Sequence, residues 1–207
     1  MFKLDRPGER DVLIVIDPQV DFCPGGALAV PGGDEVMAPI NTLAERFESV
    51  VITQDWHPPG HASFASTHGA EPFSTTELAY GEQVLWPDHC VQGTAGAEFH
   101  PAIRLELARR AQLILRKGHH KGVDSYSAFF ENDRTTRTGL SGYLRERGFV
   151  RCVFAGLAQD YCVRYSAQDA LTLGFETVVV ADATRAIDAA AGAQALADLA
   201  QRGAVLA

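Results

Sequence analysis

The sequence predicts an α/β protein: a doubly wound, mostly parallel six-stranded sheet with helices on both faces. Three observations lead there. Apolar, β-rich runs alternate with helical patterns along the chain. Most runs are continuously apolar at their centres, as strands covered on both faces must be. Several helical patterns close on a glycine, Gly148, Gly174 or Gly203, that suits the residue just past a helix end.

In chain order the expected strands are 11–17 (DVLIVID), 49–55 (SVVITQD), 111–117 (AQLILRK), 150–157 (VRCVFAGL), 176–182 (ETVVVAD) and a short terminal run, 204–207. The expected helices are 34–47, 101–110, 140–147, 161–173 and 189–201. Strand followed by helix, repeated, means parallel strands joined by crossovers. The 207 residues, 46% hydrophobic and 21% charged, suit one domain over 1–207 rather than two. A chain of this size builds its core without metal or disulfide staples, so any metal is there for function.

Charge narrows the partners. With 26 acidic against 18 basic residues the net charge is −8, which opposes sequence-independent binding to nucleic acid or an anionic membrane. No apolar run approaches the roughly 20 residues of a membrane span, and the stretch 1–10 is polar where a signal peptide would be apolar. The expected location is cytoplasmic. Four irregularly spaced cysteines, Cys23, Cys90, Cys152 and Cys162, argue against a disulfide framework there.

The segment 56–100 breaks the rhythm, with no convincing helix or strand period. It is too aromatic for disorder (Trp56, Phe64, Phe73, Tyr80, Trp86) and holds His57, His61, His68, His89 and His100, five of the seven histidines. A long ligand-bearing loop is expected. The strands add a second clue, because Asp17, Asp55 and Lys117 each end one, and 156–162 leaves another to enter a helix. Carboxyl ends of parallel strands converge on one crevice.

Cys162 is expected in the first turn of a helix, where free N–H groups and the helix dipole favour a thiolate and can hold an oxyanion. Alone, it reads more readily as a small buried residue. Asp17, able to accept the thiol proton, and Lys117, able to favour the thiolate, turn the balance toward a nucleophile. Asp55 and His57, two apart on an extended segment, face the same side and suit zinc or ferrous iron, with His61 and His89 as further candidates. His68, His100, His119 and His120 read as surface or structural residues.

The segments IDPQVDFCPGGALAVPGG, TQDWHPPGHASFAS, WPDHCVQGT, KG followed by VDSYSAFF, and GLAQDYCV resemble the nicotinamidases among the isochorismatase-like cysteine hydrolases. The resemblance runs from about Asp11 to the C-terminus. It implies the isochorismatase-like hydrolase fold and hydrolysis of nicotinamide to nicotinate and ammonia in NAD salvage, with pyrazinamide as a second substrate. Carried over by motif, Cys162 is the nucleophile, Asp17 the general acid/base and Lys117 the third catalytic residue. Asp55, His57 and His89 match metal ligands, with His61 an additional candidate. The cofactor implied is one divalent ion, zinc first, with iron or manganese as alternatives. Phe22, Trp86 and Tyr126 match the aromatic walls around the pyridine ring. Ala158 and Cys162 match the N–H groups that face the oxyanion, after a cis Leu157–Ala158 peptide. Two positions depart from the pattern or lack an account: Gln159, where many relatives have Thr, and the pair His119–His120. The residues leave room for a sister hydrolase acting on a ureido compound, for a metal-water hydrolase with a structural cysteine, and for a ligand-sensing module.

Overall fold

The computed structural model describes residues 4–207, apart from the side chains at positions 105, 106 and 108; the first three residues of the polar N-terminal stretch lie outside it. The strands and helices run β1 (Asp11–Ile16), α1 (Met37–Ala44), β2 (Val50–Asp55), α2 (Ala65–His68), β3 (Thr75–Leu78), β4 (Gly81–Val84), α3 (Leu105–Arg110), β5 (Leu113–Lys117), α4 (Leu140–Glu146), β6 (Arg151–Leu157), α5 (Arg164–Thr172), β7 (Glu176–Arg185), α6 (Ala189–Gln201) and β8 (Val205–Leu206). Six strands form one sheet in the order β5-β2-β1-β6-β7-β8, every pairing parallel.

Alternate residues of the central strands feed two apolar layers. Leu13, Val15, Ile52, Val153 and Ala155 face one side with Met37, Ile40 and Leu43 of α1. Val12, Ile14, Ile16, Val51 and Phe154 face the other with Leu140 and Leu144 of α4, Ala167 and Ala170 of α5, and Leu199 of α6. β1 and β2 are buried throughout, as their apolar sequences require. The edge strands depart from that expectation: β5 alternates between half-buried and exposed until Lys117, and β8 is exposed. Gly148, Gly174 and Gly203 sit one residue past the C-caps of α4, α5 and α6 with φ of 78°, 84° and 103°, the left-handed helix ends expected of them.

Three expected elements need correction. The first helix begins as a 3-10 turn, Gly33–Val36, before α1, and the second shrinks to α3. The fourth does not begin as an α-helix at 161: a single π-helical turn, Gln159–Val163, precedes α5, with Val163 N–H donating five residues back to Ala158 O at 3.1 Å. The segment 56–100 is also more ordered than its pattern suggests. It contains α2 and the antiparallel hairpin β3–β4, whose registers are too short to carry a period. Among the described residues no helix is long and apolar enough to cross a membrane.

Candidate active site

The chain runs outward from β1 through β2 to β5, then returns to β6 on the other side of β1. The sheet therefore reverses direction between β1 and β6, and ligands bind beyond the carboxyl ends of strands at such a point. Asp17 follows β1, the Cys162 turn follows β6, and Asp55 and Lys117 end β2 and β5.

Lys117 is the hub. Its Nζ lies 2.8 Å from Asp17 Oδ2, 3.0 Å from Asp55 Oδ1 and 3.5 Å from Cys162 Sγ, and it donates to Ser125 O at 3.0 Å. All of this is out of water, with Lys117 1% and Asp17 0% exposed. Burial alone would drive the ammonium to its neutral form, but the Asp17 and Asp55 carboxylates outweigh it and hold Lys117 well above its usual range. Asp17 is pushed up from 3.8, chiefly by burial and further by Asp55, against the pull of Lys117. Its Oδ1 accepts from Thr53 Oγ1 at 2.5 Å, and Thr53 Oγ1 accepts from Asp17 N–H at 3.0 Å.

Cys162 corrects an expectation. Burial, together with Asp17 and Asp55, pushes its thiol well above 9.0 despite Lys117 beside it, so the resting group is a thiol and not a preformed thiolate. Deprotonation needs a base, and the ammonium that touches both Cys162 and Asp17 keeps one close.

The second cluster shares Asp55. His57 Nε2 lies 3.0 Å and His89 Nε2 3.4 Å from Asp55 Oδ2. Both rings face a backbone carbonyl through Nδ1: His57 with Gly118 O at 2.9 Å, His89 with Pro87 O at 2.8 Å. That pairing turns both Nε2 lone pairs inward. His57 Nε2 is buried and makes no hydrogen bond despite its nearness to Asp55, an orphaned polar atom that a metal ion would satisfy. The three ligand atoms lie within 4.8 Å of one another, so the residues fit a divalent cation with an open position.

His61 is held differently. Its Nδ1 pairs with Ser63 Oγ at 2.8 Å, and its Nε2 points to the carbonyls of His120 and Val123 at 3.1 and 3.3 Å. It lies close enough to His57 and Asp124 to form a second possible grouping. Burial, helped by His57, lowers it to about 4, so it stays neutral at ordinary pH. His120 thereby gains a structural role through its carbonyl, and its own ring pairs with Glu131 at 3.2 Å.

Between the clusters opens a pocket lined by Phe22, Trp86, Tyr126, Ala158 and Cys162, with Asp55 and His89 at one side. Trp86 Nε1–H donates to Tyr126 Oη at 3.2 Å, the two rings standing at 83°, and Gln83 Nε2–H donates to the same oxygen at 2.8 Å. The Leu157–Ala158 peptide is cis. Sequence pattern misses four lining residues, Leu28, Asp124, Tyr161 and Ile187. Asp124 and Tyr161 stand inside the motifs VDSYS and QDYC, so their adjacency was a usable signal; Leu28 and Ile187 carry none.

The chain belongs to the isochorismatase domain family, which it matches over residues 11–207. It is 55% identical over 177 residues to a nicotinamidase of Acinetobacter baylyi, covering 85% of this chain and 81% of that one. Among solved structures it is similar to a nicotinamidase/pyrazinamidase of Acinetobacter baumanii (TM-score 0.92, 51% identity, 96% of each chain). It is also similar to the pyrazinamidase of Pyrococcus horikoshii in complex with zinc (TM-score 0.78, 35% identity, 96% of this chain and 98% of that one).

Proposed function

We propose that the protein hydrolyses nicotinamide to nicotinate and ammonia through a thioester on Cys162, and that it accepts pyrazinamide. The observation that carries this reading is the Lys117 ammonium in contact with both Asp17 and Cys162, the cysteine standing at the wall of an aromatic pocket. The pyridine ring packs among Phe22, Trp86 and Tyr126. Asp17 takes the thiol proton as Cys162 Sγ bonds to the carboxamide carbon, and the Ala158 and Cys162 N–H groups receive the oxyanion. As the C–N bond breaks, Asp17 returns its proton to the departing nitrogen, releasing ammonia. Water then gives a proton to Asp17 and adds to the thioester carbon. Collapse releases nicotinate, and the proton goes back to sulfur.

Asp55, His57 and His89 hold a divalent metal, zinc first by their two nitrogens and one oxygen, with His61 orienting from behind. When bound, that ion supplies a Lewis-acid contact to fix the ring nitrogen of the substrate. A cytoplasmic setting, with four free cysteines, belongs to the same proposal.

Ammonia release from nicotinamide tests the reading directly. Cys162→Ala should abolish turnover, by at least about a thousandfold, with fold and metal content kept. Near-parental turnover by that variant would replace the thioester route with metal-water hydrolysis.

A further inference from the structure

The turn carrying Cys162 is gripped from outside the pocket by the two residues at its start. Gln159 Nε2–H donates to Gly192 O of α6 at 2.9 Å, while its Oε1 accepts from Thr184 Oγ1 of β7 at 3.0 Å. Asp160, 3% exposed, accepts from two consecutive backbone amides: Oδ1 from Ile187 N–H at 3.1 Å and Oδ2 from Asp188 N–H at 2.9 Å. Neither Gln159 nor Asp160 lines the pocket, yet Ile187 does. α6 also packs close: a Cβ on Gly192 would lie 3.1 Å from Gln159 Nε2 and 2.5 Å from Ala186 Cβ.

We infer that Gln159 and Asp160 are positioning residues for the reaction, a clamp that locks the Cys162 turn to the segment 184–192 and so fixes the separation of the sulfur from the Ile187 wall. The part of this that concerns turnover rests on the hydrolase reading above. Four hydrogen bonds, one each to β7 and α6 and two to the connection between them, over-determine a turn of five residues, and a buried carboxylate with both oxygens engaged by amides leaves it little play. The Gln159 side chain is long enough to reach α6 and β7 together.

Asp160→Asn keeps one acceptor but turns an N–H₂ toward a backbone N–H. Gln159→Glu keeps the acceptor for Thr184 and loses the donor to Gly192. The readout is iodoacetamide labelling of the native protein by peptide mapping, with Cys152, wholly buried in β6, as the internal control. Each variant should raise the ratio of Cys162 to Cys152 labelling at least about threefold, because only the clamped turn loosens. With nicotinamide, kcat should fall roughly ten- to a hundredfold, as expected of a displaced nucleophile. An unchanged ratio, or labelling that rises equally at both cysteines, overturns the clamp. Should Asp160→Asn fail to fold, Gln159→Glu, at a half-buried position, decides the matter alone. A parent enzyme without nicotinamide turnover would sink the hydrolase reading and leave the labelling comparison standing; parental turnover with an unchanged ratio sinks only the clamp.

Discussion

Asp17 is held in a conformation its residue type seldom adopts. Its φ is 42°, in the left-handed region where an Asp costs on the order of 1 kcal/mol. Continuing β1 in an extended conformation would alternate its side chain away from the crevice; the kink instead lets Thr53 and Lys117 take both its oxygens. Its folded-state carboxyl lies above the ordinary 3.8, raised by burial first and by Asp55 second. In the proposed mechanism the carboxylate is the form that accepts the thiol proton. Activity is therefore full above the raised value and lost as pH falls through it, so the acid limb of kcat/KM should sit above pH 3.8, with Asp17 and Lys117 titrating as a pair. Asp17→Asn should remove that limb together with the activity. A pH profile that stays flat down to about 3.8 would take the base role from Asp17.

At the scale of elements, the strands were legible because most are short apolar runs, several of them followed by or ending on a charged residue. Asp17, Asp55 and Lys117 mark three of those ends within one residue of the observed strand ends. The Cys162 turn was placed but its geometry was not: no periodicity separates a π turn from the first turn of an α-helix, since both follow from where one carbonyl finds its donor. The hairpin β3–β4 was invisible for a different reason, its four-residue strands being half-exposed and mixed in polarity. The glycine after Lys117 shows what such connections do for the site. Gly118 has φ of 65°, and a Cβ there would lie 2.5 Å from His57 Cε1 and 2.9 Å from Asp55 Oδ1. Its carbonyl also faces His57 Nδ1. Gly118→Ala should thus leave the sheet intact but weaken metal affinity by about ten- to a hundredfold, the range for disturbing the groups that orient a ligand. Metal titration against a competing chelator measures this, and parental affinity in a folded variant would show that His57 is not oriented from β5.

Across the whole molecule the candidate metal triad joins two parts of the chain that differ in how they are held. Asp55 belongs to the buried sheet, whereas His89 lies far along the segment 56–100, which returns to β2 by His57 N–H to Cys90 O at 3.0 Å and Gln92 N–H to His57 O at 2.9 Å. An ion on Asp55, His57 and His89 would cross-link that segment to the carboxyl end of β2, and a ligand that binds only the folded chain stabilises it by mass action. At a free metal concentration about a hundredfold above Kd the gain is about 2.7 kcal/mol. For a chain of this length each kcal/mol moves Tm by about 2–4 °C, so removing the metal should lower Tm by about 5–10 °C. Zinc added back after dialysis should restore the loss in the parent. His89→Ala should erase most of the difference, while His100→Ala, outside the triad, should retain it. Thermal scans of stripped and reloaded protein that superimpose would mean the ion does not bridge segment and sheet, and would remove Asp55, His57 and His89 as its ligands.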